Sequence, residues 1–182
     1  MTFNTHFANG EQPGVVKTNY YTVGGGVNLA IFPNENLYIK LGGGVANINK
    51  PTETFYKGGK NTLDMRPEAT LDVLVKTGPV LIINPSVFYA TQNAASELVV
   101  GSLFRTKLGE NENHMPTQLI LGIFDRIGDA AIGVAGIQLG SIQFMANYDF
   151  TMSSLAPYNN GYGALEFSLI YQGRYPNRSA EH

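Results

Sequence analysis

The chain of 182 residues contains no cysteine. Neither a disulfide framework nor a thiolate metal site is therefore possible, which suits a compartment where free thiols are a liability. Charge is also scarce. Asp, Glu, Lys and Arg make up 14% of the residues, against about 25% in ordinary globular domains, too few to solvate a normal surface. The net charge of −2 comes without any basic run, so nothing points to nucleic acid as a partner. No uninterrupted apolar run approaches the roughly 20 residues that a membrane helix needs, and helical membrane spans are excluded. A membrane β-barrel is not excluded, because its strands alternate and barely register in hydropathy. The first ten residues lack the charged start and apolar middle of a secretory signal, so export predicts a longer precursor.

What the chain does have is alternation. From Ile142 to Thr151, Ile142, Phe144, Ala146, Tyr148 and Phe150 fall on one face, opposite Gln143, Asn147, Asp149 and Thr151, with Met145 the only apolar intruder. After the turn residues of 152–160, Leu165, Phe167, Leu169 and Tyr171 share a face opposite Ala164, Glu166 and Ser168. A period of two places successive side chains on opposite sides of a pleated strand. This predicts an antiparallel pair with one apolar and one polar face. What that apolar face meets, a second sheet or lipid, decides the class.

The same pattern recurs earlier. Residues 1–18, with Asn9-Gly10 and Pro13-Gly14, read as a polar N-terminal loop segment. Tyr21, Val23, Val27, Leu29 and Ile31 then share a face, Pro33 to Asn36 turns, and Leu37, Ile39, Leu41 and Val45 continue with Lys40 behind. Folding this hairpin about Asn34 pairs Gly24 with Gly44, Gly25 with Gly43 and Gly26 with Gly42, and sets Leu29 against Ile39. Six facing glycines would clear side chains from one patch of sheet. A phosphate cradle needs a helix N-terminus after the glycines, and here a strand continues. The patch reads instead as a bend, or as a place where another chain or side chain lies flat.

Asn47 to Met65 is a long polar connection, in which Pro51, Thr52, Phe55 and Tyr56 are candidates for contact with a partner, since long loops are often functional. Further strands are expected over 67–75, 80–90, 95–108, 118–126 and 130–138. Pro85 inside one of them marks an edge or a bulge. The total is about nine strands and no convincing helix: an all-β, antiparallel up-and-down meander, with a β-barrel domain over 19–173 and a tail over 174–182. Short turns at 77–79, 127–129 and 139–140 alternate with longer connections at 47–65, 109–115 and 152–160, the habit of outer-membrane barrels with one tight rim and one looped rim. Nine is an odd count for such a barrel, so the strands are expected to form part of a larger one.

No catalytic or metal constellation emerges, and no cofactor is expected. Glu110, Glu112 and His114 come nearest to ligand spacing, but a solvated turn outweighs that reading. Ser153-Ser154 has no nucleophile-elbow context. In a lipid-embedded barrel the polar faces point inward, which makes Lys40, Asp72, Arg126, Asp149 and Glu166 candidate lumen residues, able to pair there as structural groups.

Three stretches carry a resemblance. Gly43 to Phe55, reading Gly-Gly-Val-Ala-Asn-Ile-Asn-Lys-Pro-Thr-Glu-Thr-Phe, is similar to a strand end and Asn-Arg-Pro-Thr-x-Ser-Phe-like loop of the PorP/SprF-type membrane proteins of type IX secretion in Bacteroidota. Asp125-Arg126-Ile127-Gly128-Asp129-Ala130 resembles that family's Tyr-Arg-x-Gly-Asp-Ala turn. Tyr148-Asp149-Phe150-Thr151 through Ser153-Ser154-Leu155 to the run from Gly163 to Leu169 resembles its C-terminal hairpin. Asn147 stands where the family usually has Ser, and Asp125 where it often has Tyr. The family is longer, with further strands before the region matched here. The resemblance implies a non-enzymatic outer-membrane β-barrel acting in type IX secretion, gliding motility or surface display. Its partners would be outer-membrane lipid, other secretion-system proteins and secreted adhesins. A passive porin-like channel and a soluble β-sandwich binding module are the rival readings.

Overall fold

The computed structural model describes residues 19–53, 61–110, 116–154, 156–159 and 161–172. Nine strands form one antiparallel sheet in strict chain order: β1 (Gly25–Asn34), β2 (Leu37–Ala46), β3 (Arg66–Lys76), β4 (Leu81–Gln92), β5 (Ala95–Glu110), β6 (Pro116–Arg126), β7 (Ala130–Leu139), β8 (Ile142–Thr151) and β9 (Tyr162–Tyr171). One short helix, α1 (Ala156–Asn159), interrupts the last connection. The sheet is not closed, and β1 and β9 are its two ends.

The register carries the face assignment across all nine strands. Asn28 faces Gly42, Gly42 faces Thr70, and Thr70 faces Phe88. Further along, Arg105 faces Ile120, Ile120 faces Gly136, and Gly136 faces Met145. Partners in register lie on the same side of a sheet. One side therefore collects Val27, Leu29, Leu71, Val87, Leu121, Ile137, Phe144 and Phe167, and the other collects the charged residues of the strands, except Asp125, which lies on the apolar side near the end of β6. The apolar side is bare: Val27 and Phe167 are each 78% exposed, and Leu169 and Phe144 are exposed as well. No second layer covers it among the described residues. A soluble β-sandwich requires these side chains to be buried between two sheets, so that reading is overturned.

The sheet curls toward its polar side. Arg105 on β5 donates from Nη1 to Oε1 of Gln143 on β8 at 3.2 Å, although β6 and β7 intervene. In a flat sheet those strands would lie roughly 14 Å apart. Beneath this contact Ile120 is fully buried, and with Ala90 and Ala130 it makes up the whole buried apolar core among the described residues. The interior is thus polar and thin, with the apolar surface turned outward.

Three local expectations are corrected. The first hairpin turns at Glu35-Asn36, with a register shift between Ile31 and Asn34, so Gly26 faces Gly44 and Leu29 faces Leu41. Gly42 and Gly43 face Asn28 and Val27, and Gly25 faces Val45. The register differs by two residues, which preserves every face because the side-chain period is two.

Pro85 lies on neither an edge nor a bulge. It sits in β4, between β3 and β5, opposite Ser102. Proline donates no ladder hydrogen bond, but the Asn84 side-chain amide supplies one, donating to the Val73 carbonyl at 2.8 Å. Asn84→Leu orphans that carbonyl and is expected to cost about 1–2 kcal/mol, measured by urea titration of the folded protein in vesicles.

Rim membership also differs from the expected alternation. Connections 47–65, 93–94, 127–129 and 152–161 share one rim, and 35–36, 77–80, 111–115 and 140–141 share the other. The tight turn 127–129 therefore lies with the two longest connections. In a meander the rim is set by whether a strand is odd or even in order, whatever the length of the loop.

Candidate functional site

Two features of the polar face lie toward the looped rim. The first is a belt of ion pairs. Arg66 on β3 reaches over β4 to Glu97 on β5, Nη2 to Oε2 at 3.1 Å. Arg126 at the end of β6 bonds Glu97 through Nε at 3.1 Å and Asp149 on β8 through Nη1 at 2.8 Å, and lies 3.4 Å from Asp129 in the 127–129 turn. Small residues sit on the strands that the belt crosses. Ala90 on β4 faces Glu97, and Ala130 on β7 faces Arg126, and both are buried. An arginine fork suits this double engagement, because its planar donors hold two carboxylates at once.

Asp149 is positioned by an irregularity. Between Tyr148 and Phe150 the β8–β9 register shifts, so Asp149 opposes both Gly163 and Ala164. A side chain at Gly163 would bring its Cβ within 1.9 Å of the Asp149 carbonyl oxygen, so only glycine permits this approach. Bulges of this kind re-aim a side chain, and here the aimed group is the belt's most buried carboxylate. Gly163→Ala is expected to destabilise by about 1–2 kcal/mol through overpacking and to loosen the Arg126–Asp149 pair. Comparing its urea midpoint with that of Gly25→Ala, where an added Cβ meets nothing within 4 Å, checks this.

The second feature is a cleft of about 390 Å³ over β1, β2 and β3. Gly24, Gly26, Gly42 and Gly44 lie along its floor and Asn28, Lys40, Glu68, Thr70 and Asp72 stand around it. Gly25 and Gly43 also border it, but the register turns both toward the apolar side, beside Val27 and Val45. The glycine patch is thus split between the two faces.

The five polar residues singled out from sequence all occupy the polar face, and the structure joins only one pair of them, Arg126 with Asp149. Lys40 and Asp72 face each other in register without forming an ion pair. Glu166 instead accepts a hydrogen bond from Nδ2 of Asn147 at 3.2 Å. Sequence reasoning missed Arg66, Glu97, Asp129 and Arg105. A usable signal existed: Arg66, Glu97 and Arg126 have the strand parity of the polar face, and all three lie at strand ends on the same rim.

The 47–65 connection is braced at its neck. Thr52 bridges Thr62, the Glu53 amide donates to Asn61 at 2.8 Å, and the Leu63 amide donates to Pro51 at 2.9 Å. The Asn49 side chain donates to the Tyr21 carbonyl and accepts from the Val23 amide, both at 2.9 Å, tying the loop to the segment that leads into β1. Pro51 is buried in this neck and Thr52 is exposed. Phe55 and Tyr56 lie outside the described residues.

A single curled sheet with a bare apolar face is the geometry of a membrane barrel wall. The family model of the type IX secretion system membrane protein PorP/SprF matches residues 2–171. The chain belongs to this family. A search of curated proteins and a search of solved structures each returned no match. As a PorP/SprF protein it is a membrane component of type IX secretion, placed in the outer membrane by its all-β sheet. Family membership also implies contact with other components of that system.

Proposed function

We propose that this PorP/SprF protein acts without enzymatic chemistry, as an outer-membrane scaffold that holds partner proteins of type IX secretion, or the adhesins it exports, for surface display. The observation that carries this reading is the belt. Arg66, Glu97, Arg126 and Asp149, near the looped rim, are engaged with one another across β3, β5, β6 and β8. Such an arrangement stiffens a wall, and it leaves those groups committed to each other. Contact with partners falls to the looped rim, at Thr52 with Phe55 and Tyr56, and to the glycine-floored cleft beside it.

The test combines a tagged chain in its native outer membrane with a secretion assay. Thr52→Ala/Phe55→Ala/Tyr56→Ala is expected to lower both co-purification of secretion-system proteins and surface display of adhesins, with the level of the barrel unchanged. Normal display in a strain lacking the protein would overturn the proposal. A steady ion conductance in planar bilayers would replace it with a passive channel.

A further inference from the structure

We propose that the glycine-floored cleft over β1, β2 and β3 is a binding site for a free basic amino acid, with arginine the best fit. The inference goes beyond the scaffold reading. That reading is tested at Thr52, Phe55 and Tyr56, none of which enters here, so either can fail without the other.

The cleft holds a spaced pattern of charges. At one end Lys40 and Asp72 face each other in register on β2 and β3, where opposite charges ordinarily pair across strands. Here they make no ion pair or hydrogen bond with each other or with any other described residue, whereas Arg66, Glu97, Arg126 and Asp149 on the same face are all paired. At the other end Glu68, equally unpaired, leans over the floor, with Oε1 at 3.3 Å from the place a Cβ on Gly44 would take. Four residues of β3 separate the two carboxylates, roughly 13 Å along the strand. Between them Asn28 from β1 and Thr70 from β3 converge over Gly42, where their side-chain oxygens fill the space of its missing Cβ. Neither of these oxygens bonds a described residue.

A free basic amino acid is the complement of this pattern. Its carboxylate and ammonium sit on one carbon and answer Lys40 and Asp72, which then need no contact with each other. An extended arginine carries its guanidinium about 8 Å from the α-ammonium. A hydrogen bond of about 2.9 Å at each end completes the span from Asp72 to Glu68. The guanidinium gives Glu68 a two-pronged fork and keeps donors for the acceptors of Asn28 and Thr70. Lysine offers a point charge without a fork and ranks second. Glycines along the floor let the aliphatic stem lie close to the sheet. One positive and two negative groups leave the cleft at −1, which a ligand of charge +1 neutralises, and about 390 Å³ accommodates one such molecule with water. An arginine inside a peptide has neither charged head group and would leave Lys40 and Asp72 unanswered.

The test is calorimetric titration of the protein, purified from outer membranes in detergent, with L-arginine and three analogues. Argininamide lacks the carboxylate, Nα-acetylarginine the ammonium and citrulline the guanidinium charge. L-arginine is expected to bind saturably, and each analogue at least about tenfold more weakly, the size of one lost charged hydrogen bond. Lys40→Met is expected to abolish the discrimination against argininamide, and Glu68→Gln that against citrulline, with the folded mobility on unheated gels unchanged. Should a variant fail to fold, the analogue series on the unsubstituted protein decides the point alone. No saturable binding of arginine, or citrulline binding as tightly, would overturn the site. Argininamide or acetylarginine binding as tightly would overturn the free amino acid in favour of an arginine within a peptide. Preferences that survive both substitutions would overturn the assignment to this cleft.

Discussion

Ala146→Arg is expected to destabilise the folded protein in a bilayer by about 2–4 kcal/mol, the cost of an arginine on the lipid face near the midplane. Asn147→Arg, one residue on, is expected to cost less than about 1 kcal/mol, within the range of a solvated ion pair. Both positions lie mid-strand in β8, between the same neighbours. Ala146 is in register with Ala135 and Phe167, on the bare apolar side. Asn147 is in register with Val134 and Glu166 and already donates to that carboxylate, so an arginine there keeps a partner. Urea titration in lipid vesicles, followed by the mobility of the folded form on unheated gels, separates the two cases. Equal losses at both positions would mean that the apolar face does not look into lipid. The outer-membrane assignment would then lose its physical basis.

Arg126→Gln is expected to cost about 3 kcal/mol, because it leaves Asp149 charged, largely buried and unpaired. The Asp149 side chain is 12% exposed and loses a 2.8 Å partner. Glu97 keeps only Arg66. Lysine is expected to restore less than half of the loss, since a single ammonium cannot fork between Asp149 and Glu97. The double variant Arg126→Leu/Asp149→Leu is expected to be more stable than Arg126→Gln, because it removes the orphaned charge together with its partner. The exposed Lys107–Glu110 pair provides the contrast: Lys107→Ala is expected to change stability by less than about 1 kcal/mol. A loss at Arg126 no larger than that at Lys107 would show that the belt is a surface ornament of the wall and does not brace it.

The extent of what could be read in advance follows the range of the interactions. The alternation of Phe144, Ala146 and Tyr148 against Gln143, Asn147 and Asp149 is a property of neighbours one residue apart, and the pleat converts it directly into two faces. Strand order follows as simply, because every connection is compatible with pairing between sequential strands. Pro85 misleads for the same reason. The backbone donor it lacks is visible in sequence, whereas the Asn84 amide that replaces it acts across to Val73 on another strand. The hairpin register escapes by two residues because face alternation is indifferent to a shift of two, and only the Glu35-Asn36 turn and the shift before Asn34 select among the choices.

Composition and period two therefore settle, without coordinates, that this is an all-β meander with one greasy and one polar side, and that its scarce strand charges, Asp125 apart, belong to the latter. Which charges meet is decided by curvature. Arg66 and Glu97, or Arg126 and Asp149, lie two strands apart and meet over the small side chains of Ala90 and Ala130 on the strands between, on the side toward which the sheet curls. Bending is a collective outcome of twist, the β8–β9 bulge and close approaches such as that at Gly163, and no window of a few residues encodes it.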